Sequence, residues 1–216
     1  MRRQRTLYRP AIAGLLCVLL LTLVGPASAE TASAETAGVE PAGVEPTSAE
    51  PTSVEPQRFR TVELFALRLI NCLRTGGKVT SAGTCIGYGS GRYSKLREPL
   101  EFSDKISNKV AWPYAGRVAT AGRCQHDLGG ATTDKRFRTV GLRHIDNGEN
   151  LACLWTSGPR KMVVFWVRRW YRETAYGGPH WRQIKDPDFR TVGLGVARHA
   201  SGRMSLVVDF YGQPVP

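Results

Sequence analysis

Not one lysine or arginine falls between Glu30 and Gln57, and no CxxC pair, GxSxG elbow or HExxH helix occurs anywhere in the 216 residues. The first absence marks a segment of one charge sign. The others leave out a CxxC-type zinc site, a serine-hydrolase nucleophile and a zincin active site. Glycine-rich GYGSG fits neither the GxGxxG nor the Walker spacing, so it is read as a flexible loop rather than a phosphate cradle. No alternation of strands with long helices runs through the chain, which argues against a parallel doubly wound sheet. The longest apolar run, AIAGLLCVLLLTLV, is short for a membrane span.

That run follows the basic MRRQRTLYR and leads into GPASA, with small residues at Ala27 and Ala29. A positive start, a short apolar middle and a small-residue exit form a secretory signal peptide, expected over 1–29. Its removal takes Cys17 with it and leaves Cys72, Cys85, Cys124 and Cys153. An even number of cysteines in an exported chain is expected to form two disulfides, with three pairings open.

Residues 30–57 contain AGVEP, AGVEP, TSAEP and TSVEP in succession. A proline every five residues and almost no large apolar side chain cannot offset the entropy of ordering a fold, so an extended spacer is expected. The charge is divided between segments. Taking four leader arginines from 30 basic residues and six spacer glutamates from 18 acidic ones leaves the remaining domain, 58–216, at a formal +14. Such a surface favours anionic partners, here the polymers or lipids of a cell envelope; export and the lack of a recognition motif argue against nucleic acid.

Within the domain, Phe59, Val62, Ala66, Leu69 and Leu73 recur at three- and four-residue spacings and predict an amphipathic helix ending at Gly76-Gly77. The glycine-rich stretch after it reads as a loop. A helix is expected from Pro113 toward Cys124 and His126, a shorter one over DKRFRTV, and a buried strand over 149–155. Ser157 and Pro159 begin a further helix with Met162, Val163, Trp166, Val167 and Trp170 on one face and Glu173 in its last turn. TVGLGVARH and MSLVVDFYG around ASGR predict an antiparallel hairpin, with Gly193 and Gly195 allowing a helix close to the sheet. The fold class is α+β, helices covering a small antiparallel sheet. His144 and His199 read as ordinary surface histidines. Trp166 and Trp170 read as core, and Trp181 as the rim of a cleft.

The motifs LINCLR, CQHDL, GENLAC, WVRRWYRETAYGGPHWRQ, VGLGVA and LVVDFYG, in this order over most of 60–212, resemble the CAP superfamily of cysteine-rich secretory, antigen 5 and pathogenesis-related 1 proteins, also called SCP domains. The resemblance implies a three-layer α-β-α sandwich with a cleft lined by His126, Glu149, Glu173 and His180. Two imidazoles and two carboxylates suit a divalent cation such as zinc on His126 and His180, with the acids orienting the rings. The rival reading is a metal-assisted hydrolase in which Glu149 or Glu173 is the catalytic base, though the chain supplies no nucleophile. A lipid- or sterol-binding module is the other alternative and predicts an apolar groove beside the cleft. No cysteine-rich tail follows the domain. The disulfides expected are Cys72 with Cys85 and Cys124 with Cys153. The whole reads as a secreted, surface-associated CAP protein whose cleft binds a cation or small ligand.

Overall fold

A computed structural model describes residues 56–215 apart from 94 and 144. The leader, the body of the pentapeptide repeat and His144 lie outside the described residues. The sheet begins at the very end of the spacer: strand β1 (Gln57–Arg58) pairs antiparallel with β6 (Thr191–Arg198). β6 pairs with β7 (Arg203–Tyr211), and β7 with β5 (Asn147–Trp155), which forms one edge. A two-residue strand, β4 (Glu101–Phe102), adds in parallel to the start of β6. Thus the expected hairpin is present, Ser205 lying opposite Ala197 and Asp209 opposite Gly193.

One face of the sheet is covered by α1 (Arg60–Arg74), α5 (Pro159–Arg172) and the short α6 (Pro179–Lys185). Val62, Ala66, Leu69 and Leu73 of α1 pack with Met162, Val163 and Val167 of α5 onto Leu194, Leu206 and Val208. The opposite face carries α3 (Trp112–Ala121), whose Tyr114, Ala115 and Val118, with Ala111 just before it, meet Leu151, Ala197 and Val207. Alternate residues of β5 and β7 therefore feed two different cores, as the two-residue strand period requires. The chain is a three-layer α-β-α sandwich with a small antiparallel sheet.

Gly195 explains how α3 comes so close. A Cβ there would lie 2.3 Å from the Ala111 carbonyl oxygen and 2.5 Å from the Trp112 Cα, so only glycine lets helix backbone touch strand backbone. Gly193 does the same for Ile106 and Ser107.

Several elements differ from the sequence expectations. The helix before Cys124 stops at Ala121, because Gly122 turns left-handed (φ 67°), leaving Cys124 and His126 in a loop. It is also longer at its start: α2 (Asp104–Ile106), capped by Ser103, runs through a π-helical turn (Ser107–Ala111) directly into α3. α4 (Thr133–Thr139) matches the DKRFRTV expectation. The helix expected from Ser157 starts on Gly158 with no side-chain cap. The glycine-rich stretch after α1 contains a small hairpin, β2 (Lys78–Val79) with β3 (Cys85–Ile86), stapled to α1 by the Cys72–Cys85 disulfide. Among the described residues, no helix is long and apolar enough to cross a membrane.

Candidate functional site

The four motif residues fall into two histidine–glutamate pairs. In the first, Glu149 projects from β5 toward the α3 side, and His126 sits in the loop after α3. His126 Nδ1 lies 2.5 Å from Glu149 Oε1. That loop is held at three points. Cys124 is bonded to Cys153 of β5. The buried Tyr114 hydroxyl donates to the Gln125 carbonyl (2.8 Å) and accepts from Leu128 N–H (2.9 Å). Arg136 donates to the His126 carbonyl at 3.0 Å.

Glu149 is nearly buried, and its second oxygen contacts Arg136 Nη2. Directly across the strand pair lies Asp209, fully buried, with Arg136 Nη2 3.6 Å from its Oδ1. Two carboxyl groups thus share one guanidinium in a place water does not reach. Burial first, and the neighbouring Glu149 second, raise the Asp209 pKa well above the usual carboxylate range, with Arg136 pulling the other way.

The sign of the consequence follows. Because the folded pKa is raised, the folded state holds this proton more tightly than the unfolded chain. The associated stability is fully present below about pH 4, the unfolded value, and is lost as pH rises toward the folded pKa. Asp209→Asn should therefore gain stability relative to wild type between pH 4 and pH 8, as read from urea midpoints. A gap moving the other way would contradict a neutral Asp209.

The second pair joins α5 to α6. Glu173 follows α5 in a 3-10 turn, and its Oε1 lies 2.7 Å from His180 Nδ1. Its Oε2 accepts from the backbone N–H of His180 (3.0 Å) and of Trp181 (3.2 Å). Gly178, at the N-cap of α6, has no side chain, so Glu173 caps that helix from outside it. The arrangement requires the glycine: a Cβ on Gly178 would lie 2.5 Å from Glu173 Oε2. The imidazole of His180 stacks on buried Trp170, ring centres 5.6 Å apart.

Consecutive residues of the edge strand β5 reach the two pairs, Glu149 belonging to the first and Asn150 contacting the second. Asn150, next to Glu149, turns to the opposite face and donates to the His180 carbonyl at 3.0 Å. In each pair the ring is held through Nδ1, which leaves Nε2 for other partners. His126 is 55% exposed in its side chain and His180 27%, so both remain open to solvent. Among the described residues, no group of three or more His, Cys, Asp or Glu side chains is arranged to hold a metal ion.

Sequence reasoning missed Arg136, Asp209, Asn150 and Tyr114, which position these four. It missed also Arg74, buried at the end of α1, whose guanidinium donates to the carbonyls of Glu98 (2.5 Å), Ile184 (2.9 Å), Asp186 (2.8 Å) and Phe189 (2.8 Å). Burial first, and then Arg190 and Arg97, lower its pKa to about 10. Trp170 is core as expected and Trp166 packs against it partly buried, while Trp181 lies edge-on to Tyr171. Among the described residues, the His199 ring bonds locally, to Ser201 (2.9 Å) in the β6–β7 turn.

The family model of the cysteine-rich secretory proteins (CAP) matches residues 67–210. Among solved structures, an outer surface protein from Borrelia burgdorferi is similar with a TM-score of 0.54 and 16% identity, over 74% of this chain and 99% of that one. The CAP domain of enterococcal PrgA is similar with a TM-score of 0.46 and 15% identity, over 71% of this chain and 61% of that one. An extracellular SCP-domain protein from Bacillus anthracis gives 0.43 and 15%, over 54% and 35%. No curated protein sequence matches.

Proposed function

The chain belongs to the cysteine-rich secretory protein (CAP) family, and on that premise we propose that it is an exported binding protein whose His126, Glu149, Glu173 and His180 line one cleft for a divalent cation or a small ligand coordinated through it. One observation carries the reading: each imidazole gives its Nδ1 to a carboxylate. An ionised carboxylate accepts from Nδ1–H and so fixes the tautomer whose Nε2 lone pair is free, the orientation found around metal-bound histidines. A cation there would act as a Lewis acid toward a ligand's oxygen. The protein's own part is to hold both rings fixed, through the disulfide and Tyr114 on one side and the α6 cap on the other.

Two disulfides suit an oxidising compartment outside the cytosol. The formal +14 of the domain suits anionic components of the cell envelope as partners. Retention on purified cell walls should then weaken as salt rises, because exposed charges are screened.

Calorimetry with zinc tests the cleft. His126→Ala and His180→Ala should each lose at least ~10-fold in affinity, and Glu173→Gln, which leaves both ligands in place, roughly 10–100-fold. Unchanged affinity in both alanine variants would remove the cation reading.

A further inference from the structure

We propose that the pocket between α3 and α4 is a binding site for a phosphate group. The cavity is about 210 Å³ and its lining includes Lys109, Tyr114, Arg117, Lys135, Arg136 and Thr139. Four of these are cationic, and no acidic side chain lines the pocket. Neither Lys109 nor Lys135 has an ion-pair partner among the described residues. Arg136 is already paired with Glu149, but Lys109, Arg117 and Lys135 bring three further like charges to the same hollow, an arrangement that an entering anion relieves.

The pocket is built in advance. Arg136 lies over Tyr114, its Cζ 3.6 Å from the ring centre, and Arg117 stands 5.9 Å from the same ring. Arg117 is further fixed by donating to the Leu128 carbonyl at 2.9 Å. Arg136 is held by the carbonyls of His126 and Ala131 and by Glu149. Its Nε is buried and has no hydrogen-bond partner among the described residues. Guanidinium groups already fixed lose little freedom when an oxyanion arrives.

The charge selects the class of anion. A carboxylate offsets one of the three cations not already paired, whereas a phosphomonoester carries about −1.5 to −2 and three acceptor oxygens. A chain of phosphodiesters brings further charge to the basic surface outside. This site gives the anionic-partner reading above an address, and it rests on that reading only for the source of the phosphate. A larger cavity of about 530 Å³ adjoins it, sharing Pro113 and Arg117 and lined also by Trp112 and Leu128. A lipid phosphate would have apolar surface next to it there; a soluble polymer would not use it.

The test uses the whole exported chain and inorganic phosphate at low salt. Wild type should bind saturably, one phosphate per chain. Lys109→Gln/Lys135→Gln, both exposed positions, should weaken binding roughly 10-fold or more. Lys161→Gln/Arg168→Gln on α5 removes the same charge elsewhere and should leave it nearly unchanged. No saturable binding, or equal weakening by both double variants, would overturn the pocket. Phosphatidylglycerol vesicles and soluble poly(glycerol phosphate) then identify the source: loss in the pocket variant of vesicle binding alone supports a lipid phosphate, and of polymer binding a wall phosphate. Salt-sensitive wall binding that survives the pocket variant, with phosphate affinity also unchanged, defeats this inference and leaves the broader partner reading standing.

Discussion

Replacing Arg74 by methionine should cost about 3–5 kcal/mol, the cost of dismantling a buried charged network, and would take much of the 5–15 kcal/mol a domain typically has. The side chain is fully buried, and its fork satisfies four carbonyls from three separate segments: Glu98 before β4, Ile184 and Asp186 at the end of α6, and Phe189 ahead of β6. Methionine fills similar volume but donates nothing, so each acceptor loses its partner at about 1–3 kcal/mol where water cannot replace it. Arg74→Lys keeps the charge but not the planar fork and should recover less than half of the loss. Urea denaturation of the three proteins gives the comparison. A methionine variant within about 1 kcal/mol of wild type would mean that these carbonyls find water instead. Because α6 carries His180, partial loss here should also loosen the second histidine.

Arg136→Met should cost a similar ~3–5 kcal/mol at pH 7, because it leaves the Glu149 carboxylate buried beside Asp209 with no cation to pair with it. The burial cost falls on ionised carboxylates and not on protonated ones. Destabilisation should therefore be larger at pH 7 than at pH 4. It should also free the His126 loop, since the carbonyls of His126 and Ala131 lose their donor. Hydrogen exchange at Gln125–Gly130 reads this local effect apart from global unfolding. A loss that is the same at both pH values would show that Arg136 matters by packing on Tyr114 and not by charge.

The long elements were legible because they obey one period over many residues. Val62, Ala66, Leu69 and Leu73 mark α1, and Met162, Val163 and Val167 mark α5; the β6–β7 hairpin is apolar on both faces because helices cover both. What stayed hidden depends on distant partners. α2 and its π turn carry few apolar residues, and their place is set by Gly193 and Gly195 more than 80 positions later. α6 is too short to show a period, and its cap is Glu173, not a neighbour of its first turn. The β2–β3 hairpin has two-residue strands and is secured by a disulfide rather than by alternation.

The site divides in the same way. His126, Glu149, Glu173 and His180 stand in motifs that a reader of the sequence can isolate. Their supports are set by register: Asp209 meets Glu149 only because β7 runs antiparallel to β5 at that offset. A signal was available, since an aspartate inside LVVDFYG is a charge in an otherwise apolar strand and calls for a buried partner. Arg74 closes LINCLR, where a basic residue in a last helical turn reads as a response to the helix dipole. Its four carbonyl partners could not be seen along the chain.

The central claim is that two imidazoles from opposite sides of β5 serve one ligand. Nitrogen-resolved NMR of the four histidine rings during zinc titration tests it most directly. The account predicts that one equivalent of zinc shifts the Nε2 signals of His126 and His180 together, in both Nδ1 staying protonated, with His144 and His199 unmoved. Separate titration of the two rings, or a response from only one of them, would contradict it.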